Sequence, residues 1–154
     1  MKPSGLLHPA LLELVARAGH GDVIVLADAG LKIPAHTQRI DLELTPEIPT
    51  MTQVLDAVLT ELVVEGATVA EEMATWNPEL DAQVLDRLSF EPRRIPHTDF
   101  ASEMASSALA YVKTGECTAY ASVALVCGVS YFNEAVERYE KIQRQLHDKV
   151  EHPR

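Results

Sequence analysis

Two imidazoles, a carboxylate, a phenol and a hydroxyl are the groups in this chain best placed to move protons. His20 lies in the tight connection Gly19-His20-Gly21-Asp22, directly after a glycine that reads as a helix stop. Asp28 closes the apolar run Val23-Ile24-Val25-Leu26-Ala27, and Ala29-Gly30 turns away behind it. An acid ending a buried strand is costly unless it is paired or held in a cleft. The carboxyl ends of strands are also where open α/β sheets place ligand groups. His97 follows the strand-like Ile95, and Tyr120 and Ser122 open the last apolar run. Each residue has a plain structural use too. His20 and His97 could be solvated loop residues, Asp28 could cap its own turn, Tyr120 could be a core aromatic, and Ser122 an ordinary strand residue. As a set, the five suit proton transfer on a neutral, polyhydroxylated ligand.

Other chemistries fit poorly. No His-x-x-Glu-His pair, Cys-x-x-Cys or calcium-loop run of carboxylates occurs, so no metal site is expected. The Gly19-His20-Gly21 turn lacks the rest of a dinucleotide fingerprint, and no Gly-Lys-Ser/Thr occurs. No cofactor is therefore expected. A net charge of −10 argues against nucleic acid and anionic membrane surfaces as partners. Cys117 and Cys127 read as two buried free thiols in a reducing compartment. No run reaches transmembrane length and no signal-peptide core follows Met1, so a cytoplasmic protein is expected.

The elements that must position these groups can be read in outline. Pro9, Leu11, Leu12, Val15 and Ala18 describe a first helix that stops at Gly19. Val23–Ala27 has no polar alternation and reads as a strand buried on both faces. Arg39–Leu42 is an edge strand or an ordered loop. Thr50 opens a helix through a capping box with Gln53, burying Val54, Leu55, Val58, Leu59 and Leu62. Between Val63 and Ala70, Gly66 and the β-branched residues favour a second strand over more helix. Asn77-Pro78 starts another helix, and Arg93–Ile95 is a short strand. Thr98 caps a helix that runs through Phe100, Met104, Ala108 and Tyr111 to Gly115, and Ser122–Val126 is a third apolar strand. The order points to a single three-layer α/β/α domain with a mixed, largely parallel sheet over residues 1–131. Residues 132–154 form a helical extension, because Val136, Tyr139, Ile142, Leu146 and Val150 recur at helical spacing from Asn133 to His152.

Gly19-His20-Gly21-Asp22, Leu26-Ala27-Asp28-Ala29-Gly30, Ile33-Pro34, Arg39-Ile40-Asp41-Leu42 and Gln53-Val54-Leu55 occur here in one order. His97, Gly115-Glu116-Cys117, Tyr120-Ala121 and Val126-Cys127-Gly128-Val129 continue it. In that joint order the chain resembles the D-ribose pyranase family, from about Gly5 to Val129. The related fucose mutarotases share Gly-His-Gly-Asp and the Pro34-Ala35-His36 triplet. The resemblance implies an isomerase that interconverts the pyranose and furanose forms of ribose. It implies His20 as the acid/base group, with Asp28, His97, Tyr120 and Ser122 binding the sugar. It also implies a homo-oligomer, a ring-based decamer, with the site at a subunit boundary. Tyr120 and Ser122 would then serve a neighbour's His20. Ser122 stands where members usually have asparagine, and Ala101 where many carry lysine. A mutarotase for fucose or another monosaccharide, and a non-catalytic sugar-binding or regulatory protein, are the alternatives on the same scaffold.

Overall fold

The computed structural model describes residues 2–131 and the isolated positions Glu134, Val136, Arg138, Tyr139 and Lys141. The helix expected over 133–152 lies, apart from those positions, outside the described residues. Eleven elements follow one another: α1 (Pro9–Arg17), β1 (Val23–Ala27), β2 (Gln38–Asp41), α2 (Met51–Leu59), β3 (Val64–Ala70), α3 (Met73–Trp76), α4 (Pro78–Arg87), β4 (Arg93–Ile95), α5 (His97–Ser107), β5 (Ala108–Lys113) and β6 (Val123–Cys127).

The strands form one sheet in the order β2-β5-β1-β6-β3-β4. β1 pairs in parallel with β5, from Ile24 opposite Ala110 to Ala27 opposite Lys113. On its other side it pairs antiparallel with β6, Val23 opposite Val126 and Leu26 opposite Val123. β2 runs parallel to β5 and β4 parallel to β3, so only β6 is reversed. The sheet is mixed and largely parallel, as expected.

Successive strand residues serve opposite faces, because side chains alternate along a strand. Ile24, Leu26, Ala110, Val112, Val123 and Leu125 join Leu11 and Leu14 of α1, Met51, Val54, Leu55 and Val58 of α2, and Leu80 and Val84 of α4. Val25, Ala27, Tyr111 and Ala124 pack on the other face against Phe100 and Met104 of α5. The domain therefore has three layers, with a thick helical layer on one side and a single long helix on the other. β1 lies inside the sheet with Ile24 to Ala27 fully buried, which is why its sequence is uniformly apolar. Thr50 and Gln53 form the capping box read from the sequence: each side chain bonds the other's backbone, at 3.2 and 3.0 Å. No helix among the described residues is long and apolar enough to cross a membrane.

The structure corrects three local expectations. α1 does not stop on a left-handed Gly19; it ends at Ala18 in an extended conformation, and Gly21 carries the positive φ of 82°. α5 starts at His97 rather than being capped by Thr98. It also ends at Ser107, and Ala108–Lys113 is the strand β5 rather than more helix. Phe100, Met104, Ala108 and Tyr111 fit a helical stripe, but the sheet needs a strand between β1 and β2. An apolar run of that length satisfies either period.

Candidate functional site

β1 delivers Asp28 to the edge of a cavity of about 750 Å³, lined by Asp28, Lys32, His97, Ala101, Glu116, Cys117, Tyr120 and the backbone between them. Asp28 is only 8% exposed. A carboxylate so placed must have partners, and it does. The Ser122 hydroxyl donates to Asp28 Oδ2 at 2.6 Å and accepts from the Asp28 amide at 3.0 Å. The Gly30 amide donates to Oδ1 at 2.9 Å. Asp28 is thus fixed in orientation by the start of β6 and by its own turn.

His97 approaches from the first residue of α5. Its backbone amide donates to both carboxylate oxygens of Glu72, at 2.9 and 3.1 Å, so an acid from the end of β3 occupies the positive end of that helix. Glu72 thereby anchors the imidazole-bearing turn. The His97 ring meets Tyr120 edge-on, with centroids 5.1 Å apart. Tyr120 in turn lies 6.2 Å from Trp76 in a tilted arrangement. The Tyr120 backbone has φ 56°, a left-handed conformation that bulky residues rarely adopt and that is characteristic of strained functional segments.

Glu116 was read only as part of a motif, yet it organises the loop carrying Tyr120. It is 5% exposed. Its carboxylate accepts from the Thr118 hydroxyl at 2.7 Å and from the Thr118 and Met51 amides at 3.3 Å, while its carbonyl accepts from Ala29 at 2.8 Å. Asn77 bonds Thr118 from the far side. The only sequence signal for this role was an acid directly after a loop glycine, which is too common to single out.

His20 is elsewhere. It stands before β1 while Asp28 follows it, so the two are separated by the length of the strand, roughly 17 Å for five residues. Within one chain His20 cannot orient Asp28. Its Nε2 lies 2.9 Å from the Glu65 carboxylate, and its side chain is 54% exposed. The surrounding corner is tied to the end of β6: Gly21 donates to the Cys127 carbonyl and Cys127 to the Asp22 carbonyl, both at 2.8 Å. The structure therefore brings together Asp28, His97, Tyr120 and, through its bond to Asp28, Ser122. It leaves His20 at the opposite end of β1. Ser122 reaches the cavity only through Asp28, because its hydroxyl is committed to that carboxylate and its side chain is buried. Of the two thiols, Cys127 is buried as expected, but Cys117 is exposed and lines the cavity.

Arranged this way, the cavity offers a fixed carboxylate, an imidazole and a phenol to a polar ligand, in the manner of a small-molecule site. The model of the RbsD / FucU transport protein family matches residues 1–130, and the chain belongs to that family. It is 43% identical over 131 residues to a D-ribose pyranase of Geobacillus thermodenitrificans, covering 85% of this chain and 99% of the relative. It is 41% identical over 133 residues to a D-ribose pyranase of Variovorax paradoxus, covering 85% and 100%. The structure of Bacillus subtilis RbsD complexed with D-ribose matches with a TM-score of 0.79 at 35% identity, over 84% of this chain and 98% of that one. The fucose mutarotase of Streptococcus pneumoniae, solved with L-fucose, shares the fold at a TM-score of 0.61 and 22% identity, over 79% and 93%.

Proposed function

We propose that this chain is a D-ribose pyranase, an intramolecular isomerase that interconverts the pyranose and furanose forms of D-ribose. The observation that carries the reading is the cavity itself, where the buried, hydrogen-bonded Asp28 lines one cavity with His97 and Tyr120, in a chain about 40% identical to D-ribose pyranases.

Ring exchange moves only protons and one carbon–oxygen bond. The anomeric hydroxyl loses its proton, the ring oxygen gains one, and the bond between the ring oxygen and the anomeric carbon breaks to leave an open-chain aldehyde. Reclosure through the neighbouring hydroxyl gives the other ring size. An imidazole suits both proton steps because it gains and loses a proton near neutral pH. His20 is the proton donor. Asp28, His97 and Tyr120 hold sugar hydroxyls, and Ser122 binds the sugar indirectly by holding Asp28.

Since His20 lies a strand's length from its own cavity, the complete site is shared. His20 of one chain faces the Asp28 cavity of the next, in a homo-oligomer built of rings, a decamer. The protein works in the cytoplasm on a free monosaccharide.

Two-dimensional exchange NMR tests the activity on D-ribose, with L-fucose alongside. The protein should speed pyranose–furanose exchange of ribose, and His20→Ala should slow it by about 10²–10⁴-fold while saturable ribose binding persists. Binding without any acceleration would reassign the chain as a sugar-binding protein, and acceleration of fucose anomer exchange alone would reassign it as a mutarotase.

A further inference from the structure

The cavity is rich in acceptors. Asp28 and Glu116 are carboxylates, and their oxygens already accept hydrogen bonds from the protein. A sugar hydroxyl both donates and accepts, and a ring oxygen only accepts, so such a site also needs donors. Lys32 is the one lysine or arginine lining the cavity. It is also the only one among residues 2–131 with no hydrogen bond or ion pair. Lys2, Arg39, Arg87, Arg93, Arg94 and Lys113 each meet a carboxylate, and Arg17 meets Gln38.

Its place in the chain is fixed. Leu31 and Ile33, on either side, pack against the core beneath α5, and the Leu31 amide bonds the Asp28 carbonyl at 3.3 Å. The Lys32 stem therefore starts beside Asp28 and is left on the cavity side. Ala101, across the same cavity, presents only a methyl group, so no second ammonium is available.

We propose that Lys32 is a specificity-determining residue, whose ammonium donates a hydrogen bond to one hydroxyl of the sugar while Asp28 accepts from another. This rests on the reading of the cavity as the ribose site. An ammonium on a four-carbon stem presents three donors and can follow a hydroxyl through small changes of ring shape. A role in binding rather than proton transfer predicts an effect on KM and not on kcat.

Lys32→Met keeps a stem of similar bulk and removes the charge. Measured by the concentration dependence of exchange, KM for ribose should rise about tenfold, the low end of a hydrogen bond to a charged group, with kcat within about twofold. Lys32→Arg, which keeps charge and donors, should return KM to within about threefold of wild type. A series of deoxyriboses then locates the contact: for the sugar lacking the partner hydroxyl, Lys32→Met should cost nothing further. An unchanged KM for ribose, an equal penalty with every deoxy sugar, or a changed oligomer mass on light scattering would each overturn the proposal. Absence of acceleration by the wild-type protein would instead overturn the ribose reading, and this inference with it.

Discussion

The two ends of β1 are built on different principles. At the carboxyl end, Asp28 is buried, its oxygens are matched to Ser122 and Gly30, and His97 is pinned by Glu72. At the amino end, His20 is more than half exposed and meets Glu65, which is itself 40% exposed. The first region is pre-organised, because both carboxylate oxygens of Asp28 and the His97 amide are hydrogen-bonded. The second presents a half-exposed imidazole at the corner before β1. A strand five residues long keeps His20 and Asp28 apart, so within one chain the two do not meet. Exposure at one end and pre-organisation at the other fit the proposal that His20 serves a neighbour's cavity.

Mixing variants tests that division most severely. His20→Ala and Asp28→Asn chains should each be nearly inactive alone. When the two are co-expressed so that they share oligomers, about a quarter of the contacts should pair an intact His20 with an intact cavity, so activity should return far above either parent. No recovery in verified mixed oligomers would mean that each chain carries its own complete site, and the comparison between the two ends would fail.

Much of this arrangement was legible in the sequence, and the misses have physical causes. β1 could be read because a strand buried on both faces has to be uniformly apolar, and α2 because a capping box is a local motif. β5 could not. Its residues Ala108–Val112 continue the helical stripe of α5 with no glycine or proline between, and only the sheet's need for a strand beside β1 decides the matter. The backward bonds of the Ser106 and Ser107 hydroxyls to the Glu103 carbonyl mark the end of the helix, but serines there are too ordinary to be a signal. Asp28, His97 and Tyr120 stood out because polar groups at strand ends and turns ask for explanation. Glu72 and Glu116 did not, because their value lies in partners supplied by other elements: His97 is 25 residues from Glu72, and Met51 is 65 from Glu116. His20 and Asp28 are close in sequence, yet an extended strand converts that closeness into distance.

A smaller effect probes the pre-organised end. Ser122→Ala removes the donor to Asp28 Oδ2 and the acceptor for the Asp28 amide, both in a buried setting. The expected loss is about 1–3 kcal/mol of stability, read as a lower midpoint in urea with unchanged slope. Ribose binding should weaken in parallel, because Asp28 is then free to turn. In the Asp28→Ala background the same change should cost much less, since the partners act as a unit. Additive losses would show that Ser122 supports the fold independently of Asp28.

The two thiols report on access at the two ends of β1 at the smallest cost to the protein. Cys117 is exposed in the cavity, whereas Cys127 is buried beside the His20 corner. Burial, reinforced by the charges of Asp22 and Glu65, pushes the Cys127 thiol from its ordinary 9.0 up to about 11. Since alkylation requires the thiolate, iodoacetamide at pH 8 should modify native protein at Cys117 alone, and saturating ribose should slow that reaction by occupying the cavity. Cys127 should react only on unfolding. Because its folded value is raised, the stabilisation from keeping it protonated is fully present below pH 9 and is lost as pH rises through about 11. Native protein should therefore begin to expose Cys127 in that alkaline window. Rapid labelling of Cys127 at neutral pH, with Cys117 protected, would contradict both the burial of Cys127 and the opening of the cavity at Cys117.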